Sequence, residues 1–493
     1  MKSSAVLAID QGTTGTRAVL YDRSANFLAS AYQEFPQYYP RPGWVEHDPR
    51  EIWKSTLAVI SQALGRVRLP PSKIAAIGIT NQRETSVLWD RANGKPAARA
   101  IVWQDRRTAD FCAKLKKAGH EKKFRDKTGL MLDPYFSGTK IRWMLDHLPG
   151  LKRKAARGQI AFGTIDTWLL WNLTGGRVHA TDFTNASRTL LFNIKNLRWD
   201  RELLKILKVP EAVLPEVRDS GSRFGETAAC GPLPRGIPVY AMIGDQQAAL
   251  YGQACYRKGE VKNTYGTGCF VVLNLGTGYQ KPPFGLLATL ACDEAGKPVY
   301  ALEGSVFIAG AAVQWLRDGL HFFKHAAETG RMVRKVKDTG GVTVIPAFAG
   351  LGSPYWNAEV RGTITGLTRG TTREHIVRAA LESIAQQTAD VLERMKEEKV
   401  SIRALKVDGG ATQNDFLMQF QADLSGIPVL VSDIAESTAW GAAKLAAKSA
   451  GLWNSLGAID RKRRFKRFLP RMARAEAKTL RARWNREVTR LLA

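Results

Sequence analysis

The fold follows from the stretch Ala5-Val6-Leu7-Ala8-Ile9-Asp10-Gln11-Gly12-Thr13-Thr14-Gly15-Thr16-Arg17-Ala18-Val19-Leu20-Tyr21. A glycine–threonine turn separates two apolar runs here, and this arrangement predicts a β-hairpin. Glycine lets the backbone approach a ligand closely, and N–H groups gathered in a tight turn form a concave anion site. The stretch therefore predicts a hairpin that binds phosphate.

Similar turns recur far along the chain. Thr264-Tyr265-Gly266-Thr267-Gly268 lies between Val261 and the apolar run Phe270-Val271-Val272-Leu273, and Asp408-Gly409-Gly410-Ala411-Thr412-Gln413-Asn414 follows later. Two phosphate-binding hairpins and a later Gly-Gly turn predict a nucleotide clamped between two similarly built halves. A boundary near residue 250, where the pattern starts again, places the ligand in the cleft between the halves.

The rest of the chain alternates apolar strands with helical stretches, which predicts an α/β fold. The strands are expected at 74–80, 239–243 and 404–407. The helices are expected at 106–118, 140–147, 163–172, from Gln246 onward, 374–397 and 415–424.

Composition is that of an ordinary globular protein of 493 residues, long enough for two substantial domains. Only a run of five apolar residues precedes Asp10, and no run approaches the roughly 20 apolar residues of a membrane helix. We therefore expect a cytoplasmic protein with no membrane segment. Five scattered cysteines without C-x-x-C spacing predict neither disulfides nor a zinc site.

The formal net charge of +28 raises the question of a nucleic-acid partner. Much of this positive charge lies in the C-terminal segment, because the stretch from Arg461 to Ala493 contains thirteen Lys and Arg residues but only two Glu. Leu480, Trp484, Val488 and Leu491 predict an amphipathic helix in this tail. A docked terminal helix with a solvated basic face is favoured over a polyanion contact, so nucleic acid is an unlikely partner.

The acids and donors near the turns indicate phosphoryl transfer. Neither G-x-x-x-x-G-K-[ST] nor G-x-G-x-x-G occurs at these turns, which excludes a P-loop and a dinucleotide fingerprint there. Asp10 could hold a magnesium ion through water, Thr13, Thr14 and Arg17 could bind the departing phosphate, and Asp245 could accept a proton. These residue types suffice, because the loose transition state needs mainly positioning and charge neutralisation.

Several separate segments carry a family resemblance. They are Tyr135-Phe136-Ser137-Gly138-Thr139-Lys140-Ile141-Arg142-Trp143-Met144-Leu145-Asp146-His147, the stretch from Gly362-Thr363-Ile364-Thr365-Gly366-Leu367 to Ala379-Ala380-Leu381-Glu382, Asn81-Gln82-Arg83-Glu84-Thr85 and Gly244-Asp245-Gln246-Gln247. With them the chain, to about residue 455, resembles the FGGY family of carbohydrate kinases, and within it the glycerol-phosphorylating branch.

The resemblance implies two actin-like (ribonuclease H-like) α/β domains with mixed sheets flanked by helices and a cleft between them. The domains are expected at 1–253, which binds polyol and phosphate, and 254–455, which binds nucleotide, followed by a basic helical tail at 456–493. The implied activity is that of an ATP:glycerol 3-phosphotransferase. Such an enzyme forms sn-glycerol 3-phosphate and ADP, which is the first step of glycerol catabolism. The resemblance also implies a homodimer or homotetramer.

The resemblance also implies a role for each matching position. Glycerol contacts fall on Arg83, Glu84, Trp103, Tyr135, Asp245, Gln246 and Phe270, with Asp245 as the general base. Phosphate and nucleotide contacts fall on Thr13, Thr14, Gly15, Arg17, Thr267, Gly310, Gln314, Gly410 and Asn414. Asp10 and Asp245 would face magnesium, and ATP would be the second substrate. At Gly15 and Thr16 the chain departs from the family, which usually carries two serines.

Simpler explanations exist for several of these residues. Arg83 and Glu84 could form a structural ion pair, Asp245 could be only a helix N-cap, and Trp103 and Phe270 could be ordinary core. His321 and His325, four residues apart, could chelate a metal, but an exposed helix face is favoured.

Three other functions compete with glycerol phosphorylation. They are a sibling kinase acting on xylulose, ribulose or erythritol, a non-enzymatic ATP-driven switch and a nucleic-acid binder.

Overall fold

The computed structural model describes residues 4–398, 400–434 and 436–493. Two mixed β-sheets flanked by helices form its framework, one in each half of the chain. The predicted α/β fold class is therefore confirmed.

The first half contains a six-stranded sheet and four two-stranded pairs. Its strands are β1 (Ala5–Gln11), β2 (Gly15–Asp22), β3 (Phe27–Glu34), β4 (Glu46–His47), β5 (Ile74–Asn81), β6 (Val87–Asp90), β7 (Ala100–Ile101), β8 (Ile160–Gly163), β9 (Ala180–Asp182), β10 (Phe192–Asn193), β11 (Arg198–Trp199), β12 (Glu216–Arg218), β13 (Gly225–Glu226) and β14 (Pro238–Gly244). Its helices are α1 (Pro49–Val67), α2 (Ala109–Lys117), α3 (Glu121–Thr128), α4 (Ser137–His147), α5 (Leu151–Ala156), α6 (Ile165–Leu173), α7 (Phe183–Ala186), α8 (Arg201–Leu207) and α9 (Asp245–Gly252).

The six-stranded sheet has the order β13-β14-β5-β1-β2-β3. The first hairpin is as predicted, since β1 and β2 are antiparallel with Ala5 opposite Asp22 and Gln11 opposite Thr16. β1, β5 and β14 run parallel, so their carboxyl ends meet at one edge. That edge carries Asp10, Arg83 and Asp245, which is why residues far apart in sequence come together.

The second half is built around a seven-stranded sheet. Its strands are β15 (Val261–Tyr265), β16 (Cys269–Gly276), β17 (Leu287–Cys292), β18 (Pro298–Val306), β19 (Thr343–Ile345), β20 (Thr363–Thr365), β21 (Leu405–Asp408), β22 (Val429–Ser432) and β23 (Phe465–Phe468). Its helices are α10 (Gly310–Asp318), α11 (Thr329–Met332), α12 (Arg373–Lys396), α13 (Asp415–Ser425), α14 (Ser437–Ser449), α15 (Leu456–Arg461) and α16 (Arg474–Leu492).

The second sheet repeats the first. Its order is β17-β18-β16-β15-β21-β22-β23, with β15, β21 and β22 parallel and the β15–β16 hairpin antiparallel. β15 and β16 thus correspond to β1 and β2, β21 to β5, and β22 to β14. The antiparallel neighbour of β22 is β23, just as β13 is the antiparallel neighbour of β14.

Helices α9 and α14 join the two halves. α14 comes late in the chain but packs on β1, β5 and β14 of the first sheet and on α9. The contact is very close, because a Cβ on Gly78 would lie 2.3 Å from the carbonyl oxygen of Ala442 and one on Gly441 would lie 1.9 Å from that of Ala248. These glycines let backbone approach backbone where a side chain would keep the halves apart.

Most predicted elements are present with shifted ends, including α4, α9, α12 and α13. One expectation and one alternative explanation are wrong. His321 and His325 do not share a helix face, because α10 ends at Asp318 and His321 has a left-handed backbone with φ 56°. Asp245 is not the N-cap of α9, since Gly244 holds that position and Asp245 is the first helical residue.

The basic tail contains more than the predicted helix. α16 is present, and it packs through Trp484 and Val488 with Ile345 and Leu351 of the second half. The tail also supplies β23, which sequence analysis did not predict, because Phe465-Lys466-Arg467-Phe468 pairs with β22 at the sheet edge. All five cysteines are free, as expected. Among the described residues, no helix is both long and apolar enough to cross a lipid bilayer.

Candidate active site

The turn between β1 and β2 presents its threonines at the edge of the cleft. The N–H of Gly12 donates to the carbonyl of Gly15 at 2.9 Å, which closes the turn. Thr14 is exposed, and Thr13 Oγ1 accepts a hydrogen bond from Trp103 Nε1 at 2.9 Å. A Cβ on Gly15 would lie 2.6 Å from the Tyr32 ring, so glycine is required where β3 crowds the turn.

Acidic groups gather at the carboxyl end of β1. Burial and the nearby carboxylates of Glu436 and Asp245 raise the pKa of Asp10 to about 7. Arg17 pairs with Glu436 and lies over the Tyr32 ring, 5.2 Å from its centroid. Its guanidinium therefore has a protein partner in this structure, whereas sequence analysis expected it on phosphate.

This concentration of negative charge fits a divalent cation. The pKa of Asp10 is raised mainly by burial and further by the carboxylates of Glu436 and Asp245, and a cation would relieve the repulsion between these carboxylates. No group of three or more His, Cys, Asp or Glu side chains suited to a metal occurs in the described part of the chain. The neighbouring carboxylates of Asp10 and Asp245 fit Mg²⁺ that keeps most of its water and meets one or two carboxylates.

Asp245 lies at the start of α9 with its side chain 31% exposed. Arg83 Nε is 3.1 Å from Asp245 Oδ1, and the backbone N–H of Gln246 donates to the same oxygen at 2.7 Å. Gln246 Nε2 donates to Asp245 Oδ2 at 3.1 Å. Both carboxylate oxygens are thus held in place while one side of the group stays open to the cleft.

Arg83 belongs to a larger group of charges, all buried except Asp245, which we call the charge cluster: Arg83, Glu84, Arg188, Asp245 and Glu303. Glu303, on β18 of the second half, accepts from Arg83 Nη1 at 2.5 Å and Nη2 at 3.1 Å, and from Arg188 Nη2 at 2.9 Å. Burial raises the pKa of Glu303, but Arg188 and Arg83 outweigh it and hold that pKa at about 2. Glu303 therefore stays ionised and ties both arginines to the other half.

Glu84 is positioned by Arg188 rather than by Arg83. Arg188 Nε donates to Glu84 Oε1 at 2.6 Å, whereas Arg83 Nε is 4.0 Å from the same oxygen. Glu84 has φ 60°, a left-handed backbone that is strained for a residue with a side chain. The simple Arg83–Glu84 ion pair considered from sequence is therefore replaced by a network that reaches Arg188 and Glu303.

Three aromatic side chains lie beside the charge cluster. The Trp103 ring is 5.5 Å from Tyr135 and 6.5 Å from Phe270 between centroids, edge-on in both cases. Tyr135 is buried, while Trp103 and Phe270 keep part of their surface. The buried ammonium of Lys140 donates to the carbonyl of Tyr135 at 2.5 Å, which fixes the loop before α4.

Lys262 on β15 supports Gln246 from the second half. Its ammonium donates to Gln246 Oε1 at 2.5 Å and to Thr264 Oγ1 at 2.9 Å. This bond fixes which end of the Gln246 amide faces Asp245. Burial lowers the pKa of Lys262 to about 8, against the opposing effect of Asp408 and Asp245.

The second half contains a cavity of about 1540 Å³, which we call the large cavity. The five predicted nucleotide contacts all line it: Thr267, Gly310, Gln314, Gly410 and Asn414. The Gly310 N–H donates to the carbonyl of Gly266 at 3.0 Å, so the backbone at the start of α10 lies close to the turn after β15. Asn414 instead uses its side chain within the protein, capping α13 through Leu417 N–H at 3.1 Å and donating to Thr329 at 3.0 Å.

The structure thus brings the predicted residues together in two places. Of the predicted polyol contacts, Arg83 and Gln246 contact Asp245 directly. Tyr135 lies under Arg188 and meets Trp103, which in turn donates to the threonine turn. The predicted nucleotide contacts lie along the large cavity, whose described lining residues all belong to the second half.

Sequence reasoning missed Arg188, Glu303, Lys262 and Glu436. Glu303 and Lys262 could have been noticed, because each is a charged residue inside an otherwise apolar or uncharged strand. Arg188 and Glu436 lie in irregular or turn segments that carry no comparable signal in the sequence.

Comparison with known proteins relates both halves to one family. Residues 5–252 match the model of the FGGY family of carbohydrate kinases, N-terminal domain, and residues 261–450 match that of its C-terminal domain. The chain is 54% identical to a protein of Carboxydothermus hydrogenoformans named glycerol kinase, over 99% of this chain and 98% of the relative. It is 53% identical to glycerol kinase 2 of Thermotoga maritima over the same shares. The similarity therefore continues past residue 455, where sequence analysis ended it.

Solved structures show the same relationship. The chain is similar to the crystal structure of Plasmodium falciparum glycerol kinase with ADP, with a TM-score of 0.93 and 37% identity, over 100% of this chain and 99% of the other. A xylulose kinase from Rhodospirillum rubrum has a TM-score of 0.85 at 24% identity, covering 98% and 97%, and shares the fold.

Proposed function

The chain belongs to the FGGY family of carbohydrate kinases, and we propose that it transfers the terminal phosphoryl group of ATP to glycerol, forming sn-glycerol 3-phosphate and ADP. The observation that carries this proposal is the placement of Asp245, held by Arg83 within the charge cluster and close to Asp10. The full-length relatives named glycerol kinase support the choice of substrate. The chain is accordingly a transferase of the kinase class.

The pocket around Asp245, which we call the polyol pocket, suits a small uncharged polyol. Arg83 can donate to hydroxyl oxygens, whereas Glu84 and Asp245 can accept from hydroxyl groups. Trp103, Tyr135 and Phe270 offer apolar surface to the carbon chain. Because buried polar groups left unpaired are costly, such a pocket rejects analogues that lack a hydroxyl.

In the reaction, Asp245 accepts the proton of the attacking hydroxyl. A carboxylate is a weak base, but a loose transition state allows deprotonation to lag behind cleavage of the P–O bond. Thr13, Thr14 and the N–H of Gly15 bind the transferred phosphoryl group, and Arg17 joins them once it leaves Glu436. Mg²⁺ facing Asp10 and Asp245 would neutralise the phosphate charge. Thr267, Gly310, Gln314, Gly410 and Asn414 hold the rest of the nucleotide in the large cavity.

Closure of the halves would exclude water from the transferring phosphoryl group. We divide the chain into 1–253 for polyol and phosphate, 254–455 for nucleotide and 456–493 for the basic tail. The expectations of a cytoplasmic location and of a homodimer or homotetramer stay predictions.

The test is ADP formation in a coupled assay with glycerol, xylulose, ribulose and erythritol as acceptors. Glycerol should give the highest kcat/KM. A preference for a pentulose or tetritol would contradict the substrate proposed here. ATP binding without acceptor-dependent ADP release would point to an ATP-driven switch instead.

A further inference from the structure

The large cavity extends well beyond the residues assigned to the nucleotide. Its volume of about 1540 Å³ exceeds the ~300–1,000 Å³ of a typical ligand pocket. It runs from Gly266 and Thr267, in the turn after β15, to Lys466, Arg467 and Phe468 of β23. Three strand spacings separate β15 from β23 in the sheet, which is about 14 Å. Space therefore remains next to the proposed nucleotide position.

Four exposed arginines line the cavity wall: Arg331, Arg334, Arg467 and Arg471, which we call the basic rim. No carboxylate among the described residues lies within 4.0 Å of their guanidinium groups. The two other lining cations differ, because Arg317 pairs with Asp318 and Lys466 pairs with Asp415. The rim is thus a concave surface with an excess of positive charge, which concentrates anions, although Glu328 lies near enough to interact with Arg331.

The backbone that presents two of these arginines is fixed. Arg467 lies in β23, with its Cα opposite that of Leu430 in the sheet. The backbone N–H groups of Arg471 and Met472 donate to Asp423 Oδ1 at 2.7 and 3.2 Å. The side chains are therefore free to meet a ligand while their main chain is held.

The proposed phosphoryl transfer does not use the rim. Asp245, Asp10 and the threonine turn do not line the large cavity, whereas the rim does. The transferred phosphate is thus expected at the end of the nucleotide that points away from β23.

We propose that the basic rim binds a second anion of the oligophosphate class while a nucleotide occupies the inner part of the cavity. The position of that nucleotide rests on the function proposed above. Guanidinium groups suit this ligand because each can donate two parallel hydrogen bonds to a phosphate.

The test is isothermal titration of the full-length protein with inorganic tripolyphosphate after saturation with ADP. The Arg467→Glu/Arg471→Glu variant is compared with Arg461→Glu/Lys462→Glu, which makes the same charge change at exposed residues of the same segment outside the cavity. Wild type and control should bind one tripolyphosphate per chain. The rim variant should bind it at least about tenfold more weakly, because charge-assisted hydrogen bonds are lost.

Several results would overturn the rim site. If tripolyphosphate binds only by displacing ADP, the cavity holds a single anionic ligand. If the rim variant and the control variant both bind tripolyphosphate equally weakly, the loss of affinity comes from the change in net charge and not from the rim. The same titration measures ADP itself, so failure to bind ADP contradicts the proposed nucleotide position, whereas ADP binding without tripolyphosphate contradicts only the rim. Thermal unfolding checks the variants, and Arg471→Gln replaces the double variant if that does not fold.

Discussion

In the polyol pocket the charged side chains are mostly buried and paired with one another, whereas the wall of the large cavity carries four exposed guanidinium groups without a carboxylate partner among the described residues. The difference matches the proposed ligands. A neutral polyol cannot compensate a buried charge, so the protein must supply both signs itself. An anion brings its own charge, and its site can stay positive and solvated.

The comparison also explains why the polyol pocket depends on both halves. Arg83 and Glu84 belong to the first half, but their positions depend on Glu303 of the second half, directly for Arg83 and through Arg188 for Glu84. Lys262, also of the second half, orients Gln246. The large cavity, in contrast, takes its described lining from the second half alone.

The largest difference between the polyol pocket and the large cavity is expected when the partly exposed carboxylate of Asp245 is removed. Asp245→Asn should lower kcat by about 10²–10⁴-fold, because a general base is lost. ADP affinity should change little, since Asp245 does not line the large cavity. Steady-state kinetics and ADP titration measure both quantities. The control is Asp219→Asn, which removes a carboxylate paired with Lys297 at the surface. Retained activity in Asp245→Asn would show that Asp245 is not the general base.

A second test breaks the link between the halves. Glu303→Gln leaves two buried arginines without their shared carboxylate, and removing one partner of a buried ion pair costs about 3–5 kcal/mol. The free energy of unfolding should fall by this amount at neutral pH. KM for glycerol should rise more than KM for ATP, because Glu303 positions Arg83 and Arg188. An equal rise in both KM values would contradict a role specific to the polyol pocket.

The stability effect of Glu303 should depend on pH in a defined direction. The pKa of Glu303 is about 2 in the folded protein, below the ordinary value of 4.5. Its contribution to the free energy of unfolding is therefore complete above pH 4.5 and is lost as the pH falls toward 2. The difference in unfolding free energy between wild type and Glu303→Gln should therefore narrow over that range. Urea unfolding between pH 6 and the lowest pH at which both proteins stay folded would measure it. A difference that widens with acid would contradict this explanation.

A smaller effect is expected at Lys262. Lys262→Met should raise KM for glycerol by roughly tenfold, because Gln246 loses the hydrogen bond that fixes its amide. Since the pKa of Lys262 is about 8, wild type should also bind glycerol more weakly as pH rises above 8, when the ammonium loses its proton. Lys262→Met should lack that dependence. KM measured from pH 6.5 to 9.5 distinguishes the two proteins.

The smallest effect is expected at the contact between the aromatic wall and the threonine turn. Trp103→Phe removes the hydrogen bond to Thr13 but keeps an aromatic ring. A hydrogen bond of this kind contributes about 1 kcal/mol, so kcat/KM should fall by roughly fivefold. Trp143→Phe, stacked on His147 away from the turn, is a matched control, and equal losses in both would assign the effect to general packing.

Both hairpins, the strands ending at Asn81 and Gly244 and the long helix α12 could be predicted from sequence, because each depends on local patterns of apolar residues and glycines. β23 could not, since its four residues form a strand only where the edge of β22 is available. His321 and His325 show the opposite error. Their spacing suited a helix, but the chain had already left α10.

The amino-acid sequence was enough to predict the two glycine–threonine hairpins and the α/β alternation and, through family resemblance, to name Asp245 and its neighbours as candidates. These features depend on residues close together in the chain, where backbone geometry and side-chain periodicity act directly. The folded structure was needed to show that Glu303 holds the arginines and that the basic tail borders the large cavity. Those relations arise from the order of strands in a sheet, which joins residues hundreds of positions apart and leaves no local pattern.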